Sequence, residues 1–201
     1  MMEQAEMNDP VRPMRVAITG GIGSGKSYVC HLLERHGIRV YDCDAAAKRL
    51  MRDSSELRDA LRQLVGDEVY EGNVLQKPVM ARFLLKSEEN KQAVNDVVHP
   101  AVARDFEQSG YTWLESAILF DSNFDMRTHF DYIVCVTAPL EVRIRRVMKR
   151  DGISRQQALE WIHRQLPQSE VKARSDFEIV NDGRTNLEKQ IETIIKQIKG
   201  L

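Results

Sequence analysis

Two periodicities alternate along the chain. From Met14 to Thr19 the residues M-R-V-A-I-T form a short, mostly apolar run of strand length. A glycine-rich stretch follows, Gly20 to Ser27. An amphipathic pattern from Lys26 to His36 then stops at Gly37, as a helix with a glycine terminator does. A second apolar run, Ile38 to Tyr41, ends at Asp42 and Asp44. Strand, loop, helix and strand in this order predict the opening of a parallel α/β sheet. From about Ala45 to Gly110 helical patterns dominate, with breaks expected at Gly66, Gly72-Asn73, Pro78 and Pro100. That segment reads as a helical insertion. Thr112–Leu114 and Ala117–Phe120 read as a strand and its exit. Tyr132 to Val136 (Y-I-V-C-V) is the clearest buried strand, closed by Thr137-Ala138-Pro139. Phe177 to Val180 is predicted to be the last strand, followed by a turn at Asn181-Asp182-Gly183. A final helix, Leu187 to Ile198, gathers Leu187, Ile191, Ile194, Ile195 and Ile198 on one face.

Composition narrows the class. A chain of 201 residues, 42% hydrophobic, holds one compact domain with insertions rather than two full domains. A formal net charge of −1 argues against a nucleic-acid or anionic-membrane binder. No apolar run reaches the length of a membrane span, and none resembles a signal peptide. Residues 1–13 are polar, with Pro10 and Pro13, and read as a disordered leader to a domain over 14–201. Cys30, Cys43 and Cys135 form no C-x-x-C pair, which suits a reducing compartment. A cytoplasmic protein is expected, a monomer or weak homo-oligomer. Charge is uneven, however: residues 141–174 carry nine basic side chains against four acidic ones, a net of +5.

Gly20-Gly21-Ile22-Gly23-Ser24-Gly25-Lys26-Ser27 fits G-x-x-x-x-G-K-[ST] at every fixed position. Glycines let the backbone wrap a polyphosphate with its N–H groups inward, and the helix that follows adds its dipole. Lys26 can reach β- and γ-phosphates, and the Ser27 hydroxyl can ligate Mg²⁺. A chance glycine-rich turn would lack the strand before and the helix after. The motif indicates a nucleoside triphosphate, not a particular reaction.

Three P-loop classes compete. A GTPase needs a guanine-reading N-K-x-D, which is absent. A motor ATPase needs coupling parts for which this length leaves little room, although Ala117–Asp121 resembles a Walker-B run by composition. A small-molecule kinase needs the loop, an acceptor pocket, a carboxylate near the acceptor hydroxyl and a basic lid. Asp42 and Asp44 follow the second strand, where ligands of a parallel sheet gather. Either can accept the acceptor's proton or hold water on Mg²⁺; the alternative for Asp44 is a helix cap before Ala45-Ala46-Ala47. Arg146 and Arg150 are four apart and share a helix face, suited to transition-state charge on phosphate; the alternative is a solvated basic helix. His99 before Pro100 reads as a helix cap or a ligand contact.

Taken in order, these residues resemble the dephospho-coenzyme A kinase family, from Met14 to near the C-terminus. The resemblance rests on T-G-G-I-G-S-G-K-S (Thr19–Ser27), Asp42-Cys43-Asp44, His99-Pro100, Ala117-Ile118-Leu119-Phe120, the R-x-x-x-R-D of Arg146 and Arg150-Asp151, Gln165, Ala173–Asp176 and Ile179–Gly183. Three positions depart from it: Tyr28 stands where a hydroxyl residue is common, the proline of D-x-P-L-L-F-E is missing, and Lys77 replaces a common arginine. The resemblance implies a five-stranded parallel sheet core (14–45, 111–140 and 175–201), a helical CoA-binding insertion (46–110) and a lid (141–174). It implies ATP- and Mg²⁺-dependent phosphorylation of the ribose 3′-hydroxyl of dephospho-CoA, the last step of coenzyme A synthesis. Residues 21–28 (Gly21, Ile22, Gly23, Ser24, Gly25, Lys26, Ser27, Tyr28) would hold ATP, with Asn181 and Gly183 against adenine and Ser27 on the metal. Asp44, His99 and Lys77 would meet the acceptor. Lys26, Arg146 and Arg150 would act on the phosphates, and Asp44 would be the base with Asp42 beside it. Asp44 matches the family position nearer the acceptor; the residues alone do not separate the two.

Overall fold

The computed structural model describes residues 13–200, so the leader expected over residues 1–13 lies, apart from Pro13, outside the described residues. Five parallel strands form the central sheet in the order β2-β5-β1-β6-β7: β1 Val16–Thr19, β2 Val40–Asp42, β5 Trp113–Glu115, β6 Tyr132–Thr137 and β7 Phe177–Val180. The α/β class and the five-stranded parallel sheet are therefore as expected. Several expected bounds differ: β1 begins at Val16 rather than Met14, β2 begins at Val40 rather than Ile38, and β6 runs on to Thr137. The second strand runs to Asp42 rather than stopping at Tyr41, β5 ends at Glu115, and Ala117–Phe120 forms turns rather than extended chain.

Strand geometry explains how the sheet is covered, because successive side chains point to opposite faces. Val16, Ile18, Trp113, Val134, Val136 and Ile179 face one way. They pack with Val29, Leu32 and Leu33 of α1 (Lys26–Arg35) and Ile191, Ile194 and Ile198 of α9 (Leu187–Lys199). Ala17, Leu114 and Cys135 face the other way, into a core shared with the helices between β2 and β5. That intervening segment holds α2 (Cys43–Asp53), α3 (Ser55–Val65), a small hairpin of β3 (Tyr70–Glu71) and β4 (Val74–Leu75), α4 (Lys77–Lys86) and α5 (Glu88–Gln108). The break expected at Gly72-Asn73 is the hairpin's two-residue turn, with Gly72 at φ 59°.

The break expected at Pro100, with His99 as a cap, does not occur. Pro100 lies inside α5. A proline costs one backbone hydrogen bond in a helix interior, but Val94, Val98, Val102, Ala103 and Phe106 are buried on either side of it and hold the helix together by packing.

Between β6 and β7 lie α6 (Leu140–Asp151), α7 (Arg155–His163) and α8 (Gln168–Ala173). Ile144 and Val147 of α6 pack on Ala158 and Ile162 of α7 in a small core of their own, with Ile22 of the glycine-rich loop against it. Hence the basic segment is a structured unit seated beside the loop.

Candidate active site

β1 and α1 are joined by residues 20–25, so the glycine-rich loop opens at the carboxyl end of the central strand. Two glycines are required there by geometry. Gly20 has φ 139° and a Cβ on it would run into the Val136 carbonyl; Gly25 has φ 94° and a Cβ would strike the Asn181 amide. As α1 begins at Lys26, the N–H groups of its first turn have no acceptor one turn back within the helix, and that of Tyr28 turns to the Gly25 carbonyl. Ser24 is fully buried, and its hydroxyl has no partner among the described residues.

Lys26 is 8% exposed, donates to the Gly20 carbonyl at 2.7 Å and stands 3.7 Å from Glu115 Oε1. Burial lowers its pKa, opposed chiefly by Glu115 and then by Asp44. Burial also holds the Glu115 carboxyl above its ordinary range, opposed by Lys26 and reinforced by Asp42 and Asp44. A buried cation thus sits among three carboxylates at the ends of β2 and β5.

These groups line one cavity of about 440 Å³, together with Ile22, Gly23, Gly25, Ser27, Arg146 and Arg150. Arg146 donates to the Gly23 and Ser24 carbonyls at 3.3 and 3.1 Å and to Asn181 Oδ1 at 3.1 Å. Asn181 donates in turn to the Ser24 carbonyl at 2.8 Å. Both side chains therefore brace the loop. Arg150 is exposed and its guanidinium is held by Asp151 at 2.8 to 3.0 Å.

The two aspartates divide their work. Asp42, not Asp44, is the N-cap of α2, accepting from the Ala45 N–H at 2.9 Å. The helix starts directly at Cys43, two residues earlier than the cap expected at Asp44 requires, so Asp44 lies in the first turn with its carboxylate free of that duty. Asp44 lines a second cavity as well, of about 250 Å³ and mainly apolar, built from Met51, Met80, Val98, His99 and Phe124 among others. The half-buried His99 ring reaches that cavity from α5. Burial lowers its pKa, as does Arg127, and Asp96 opposes both.

Of the other expected site residues, Tyr28 is 55% exposed on α1, Lys77 is exposed on the first turn of α4, and Gly183 has open space around its Cα. None of the three lines either cavity. Sequence reasoning assigned no role to Glu115, although an acid at the carboxyl end of a strand beside β1 meets the same criterion that picked out Asp42. It also passed over Arg143, which lies one turn before Arg146 on the same face of α6 and is 5% exposed.

A parallel sheet whose central strand feeds a phosphate-type loop, with a buried lysine, clustered carboxylates and arginines on the following helical unit, defines a P-loop kinase. The fold agrees: the shikimate kinase of Acinetobacter baumannii superposes with a TM-score of 0.54 at 13% identity, covering 94% of each chain. The chain belongs to the dephospho-CoA kinase family, whose profile matches residues 14–186. It is 39% identical over 189 residues to a dephospho-CoA kinase of Bacteroides fragilis, covering 90% of this chain and 91% of that one. A Thermus thermophilus dephospho-CoA kinase is 34% identical over 195 residues, covering 94% and 93%. A crystal structure of a Thermus thermophilus protein superposes with a TM-score of 0.78 at 32% identity, covering 92% of this chain and 97% of the other. The protein is accordingly a kinase of the family that carries out the final step of coenzyme A biosynthesis, and the fold implies ATP as phosphoryl donor. Among the described residues, no helix is long and apolar enough to cross a membrane.

Proposed function

We propose that the chain transfers the γ-phosphoryl group of ATP to the ribose 3′-hydroxyl of dephospho-CoA, giving CoA and ADP. The observation that carries this reading is the position of Asp44, the residue on the wall of both the loop cavity and the apolar cavity beneath the insertion helices. A carboxylate shared by two cavities suits a group that meets a donor on one side and an acceptor on the other.

On this reading the loop amides and Lys26 hold the β- and γ-phosphates, Lys26 exchanging the Gly20 carbonyl for phosphate oxygen. The acceptor enters from the apolar cavity, with residues 46–110 as its binding unit and His99 on its wall. Asp44 accepts the hydroxyl proton as the 3′-oxygen attacks the γ-phosphorus and the bond to the bridging oxygen of ADP breaks. Arg146 and Arg150 face the phosphates from the 141–174 segment, which acts as the lid. They stabilise charge on the metaphosphate-like group and exclude water that would hydrolyse ATP. The turn after β7 lies beside adenine, where Asn181 already joins loop and lid. Lys77, Tyr28 and Gly183 lie outside this arrangement.

The donor set also fits Mg²⁺. The exposed Ser27 hydroxyl and the carboxylates of Asp42, Asp44 and Glu115 share one cavity and offer only hard oxygen ligands. Among the described residues no group of three His, Cys, Asp or Glu is arranged to hold a metal alone. Ser27 and, through water, the three carboxylates would hold the ion, which would supply charge neutralisation to the phosphates.

The test is ADP release by the purified protein against a panel of acceptors, with and without MgCl₂. Release should require both dephospho-CoA and MgCl₂, with shikimate and free nucleosides far poorer acceptors. ADP release that ignores the acceptor would overturn the reading.

A further inference from the structure

One peptide unit of the glycine-rich loop is gripped from both sides by the basic segment. The Ile22 N–H donates to Gln165 Oε1 at 2.7 Å, and the Ile22 carbonyl accepts from Arg143 Nε at 2.9 Å. The two partners come from separate parts of the lid. Arg143 sits on the first turn of α6 and Gln165 lies beyond the end of α7. Arg143 also leaves no room for a side chain at Gly21, where a Cβ would strike its guanidinium. Among the described residues it has no carboxylate within ion-pair distance, although it is 5% exposed. A buried guanidinium without a countercharge is costly.

We infer that Arg143 and Gln165 are positioning residues that fix the orientation of the Ile22 peptide, and through it the shape of the phosphate-binding loop, from the lid. The physical reason lies in the loop itself. A glycine-rich turn has many accessible backbone states, and it binds polyphosphate well only when its amides converge. Fixing the N–H and the carbonyl of one central peptide fixes its plane, and therefore the direction of the amides on either side. Because both anchors belong to the 141–174 segment, the Ile22 peptide keeps its orientation only while that segment is docked. Nucleotide affinity and lid docking are thereby coupled. This inference rests on the proposal that the loop takes the phosphates of ATP.

Side-chain chemistry supplies a discriminating test. A glutamine carries its amide nitrogen at the same distance along the side chain as the Nε of arginine, so Arg143→Gln keeps a donor for the Ile22 carbonyl and removes the charge. Arg143→Met keeps bulk and removes both. Gln165→Met removes the acceptor at nearly constant length. The readouts are dissociation constants for ADP and AMP, the KM for dephospho-CoA, and Tm. Arg143→Met and Gln165→Met should each weaken ADP about tenfold, the scale of one lost hydrogen bond to a loop that must hold charge. AMP affinity and the KM for dephospho-CoA should change less than about threefold. Arg143→Gln should restore ADP affinity to within about threefold of the unmodified protein, and the double Met variant should lose less than the product of the single losses, because both act on one peptide. If Arg143→Gln is as poor as Arg143→Met, charge and not the hydrogen bond is what counts, and the inference falls. It falls also if both Met variants bind ADP normally whatever their Tm, or if ADP and AMP weaken together. Failure of the unmodified protein to bind ADP at all would instead remove the reading of the loop as a phosphate site.

Discussion

Replacing Asp44 by Asn separates a catalytic carboxylate from a structural one, because its neighbour Asp42 serves as the internal control. Asp44 lines both cavities and is not the cap of α2; that position belongs to Asp42, bonded to the Ala45 N–H at 2.9 Å. Asn at 44 keeps shape and hydrogen-bonding capacity but cannot take a proton from the acceptor hydroxyl. A general base contributes about 10²- to 10⁴-fold in rate, so turnover should fall by that amount while ATP affinity and Tm stay nearly constant. Asp42→Ala is the control for stability alone, because that carboxylate also belongs to the Mg²⁺ donor set and its loss is expected to lower turnover as well as Tm. Losing an N-cap costs about 1 kcal/mol, which lowers Tm by about 2 to 4 °C in a domain of this size. The assay is ADP release at saturating ATP and dephospho-CoA, run beside thermal melts of both variants. A turnover loss under about fivefold for Asp44→Asn, with a melting shift like that of Asp42→Ala, would show that Asp44 is structural and would remove the proton-transfer step proposed for it.

Three further outcomes are expected. Lys26→Ala should lose at least about 10²-fold in turnover with the fold retained, as judged by circular dichroism and ADP release; normal turnover at saturating ATP would contradict the role of the loop lysine. Arg150→Ala should lose on the order of 10³-fold in rate with ADP affinity and Tm little changed, since the side chain is exposed and, among the described residues, bonds only to Asp151. Arg146→Ala should lose rate and also ADP affinity, since it braces the Gly23 and Ser24 carbonyls; losses under about fivefold in both variants would indicate a solvated basic helix. Glu115, held above its ordinary 4.5 by burial, is favoured in its neutral form in the folded state. Its contribution to stability is therefore greatest below pH 4.5 and is lost as pH rises through its folded pKa. The Tm of Glu115→Gln relative to the unmodified protein should accordingly rise from about pH 4 to about pH 7, and a flat difference would contradict the burial argument.

The sequence pattern and the structure agree best where local signals reinforce one another. Around β1, the loop and α1, strand period, glycine placement and helix start all coincide. The face of α9 that buries Ile191, Ile194 and Ile198 follows directly from their spacing. Agreement fails where distant packing decides. Pro100 marks a local break, but the apolar face from Val94 to Phe106 keeps α5 continuous across it. The cap of α2 is displaced by two residues, from Asp44 to Asp42, because β2 passes into the helix without a linker, and residue spacing is blind to that. Arg143 and Gln165 meet Ile22 across 121 and 143 residues, so no local pattern shows that they touch the loop. Asp42, Asp44, Arg146 and Arg150 were legible because each stands at the end of a strand or on one helix face. Lys77 was chosen by family likeness alone, and it stands at the start of α4 away from both cavities.

The reaction itself is tested most directly by following the γ-phosphoryl group. The protein is incubated with dephospho-CoA, MgCl₂ and ATP carrying ¹⁸O on the terminal oxygens of its γ-phosphoryl group, and the position of the label in the product is read by ³¹P NMR and mass spectrometry. Transfer to the 3′-oxygen of the ribose, with one ADP formed for each CoA, is the predicted result. Label found in inorganic phosphate, or on any other oxygen of the acceptor, would contradict it.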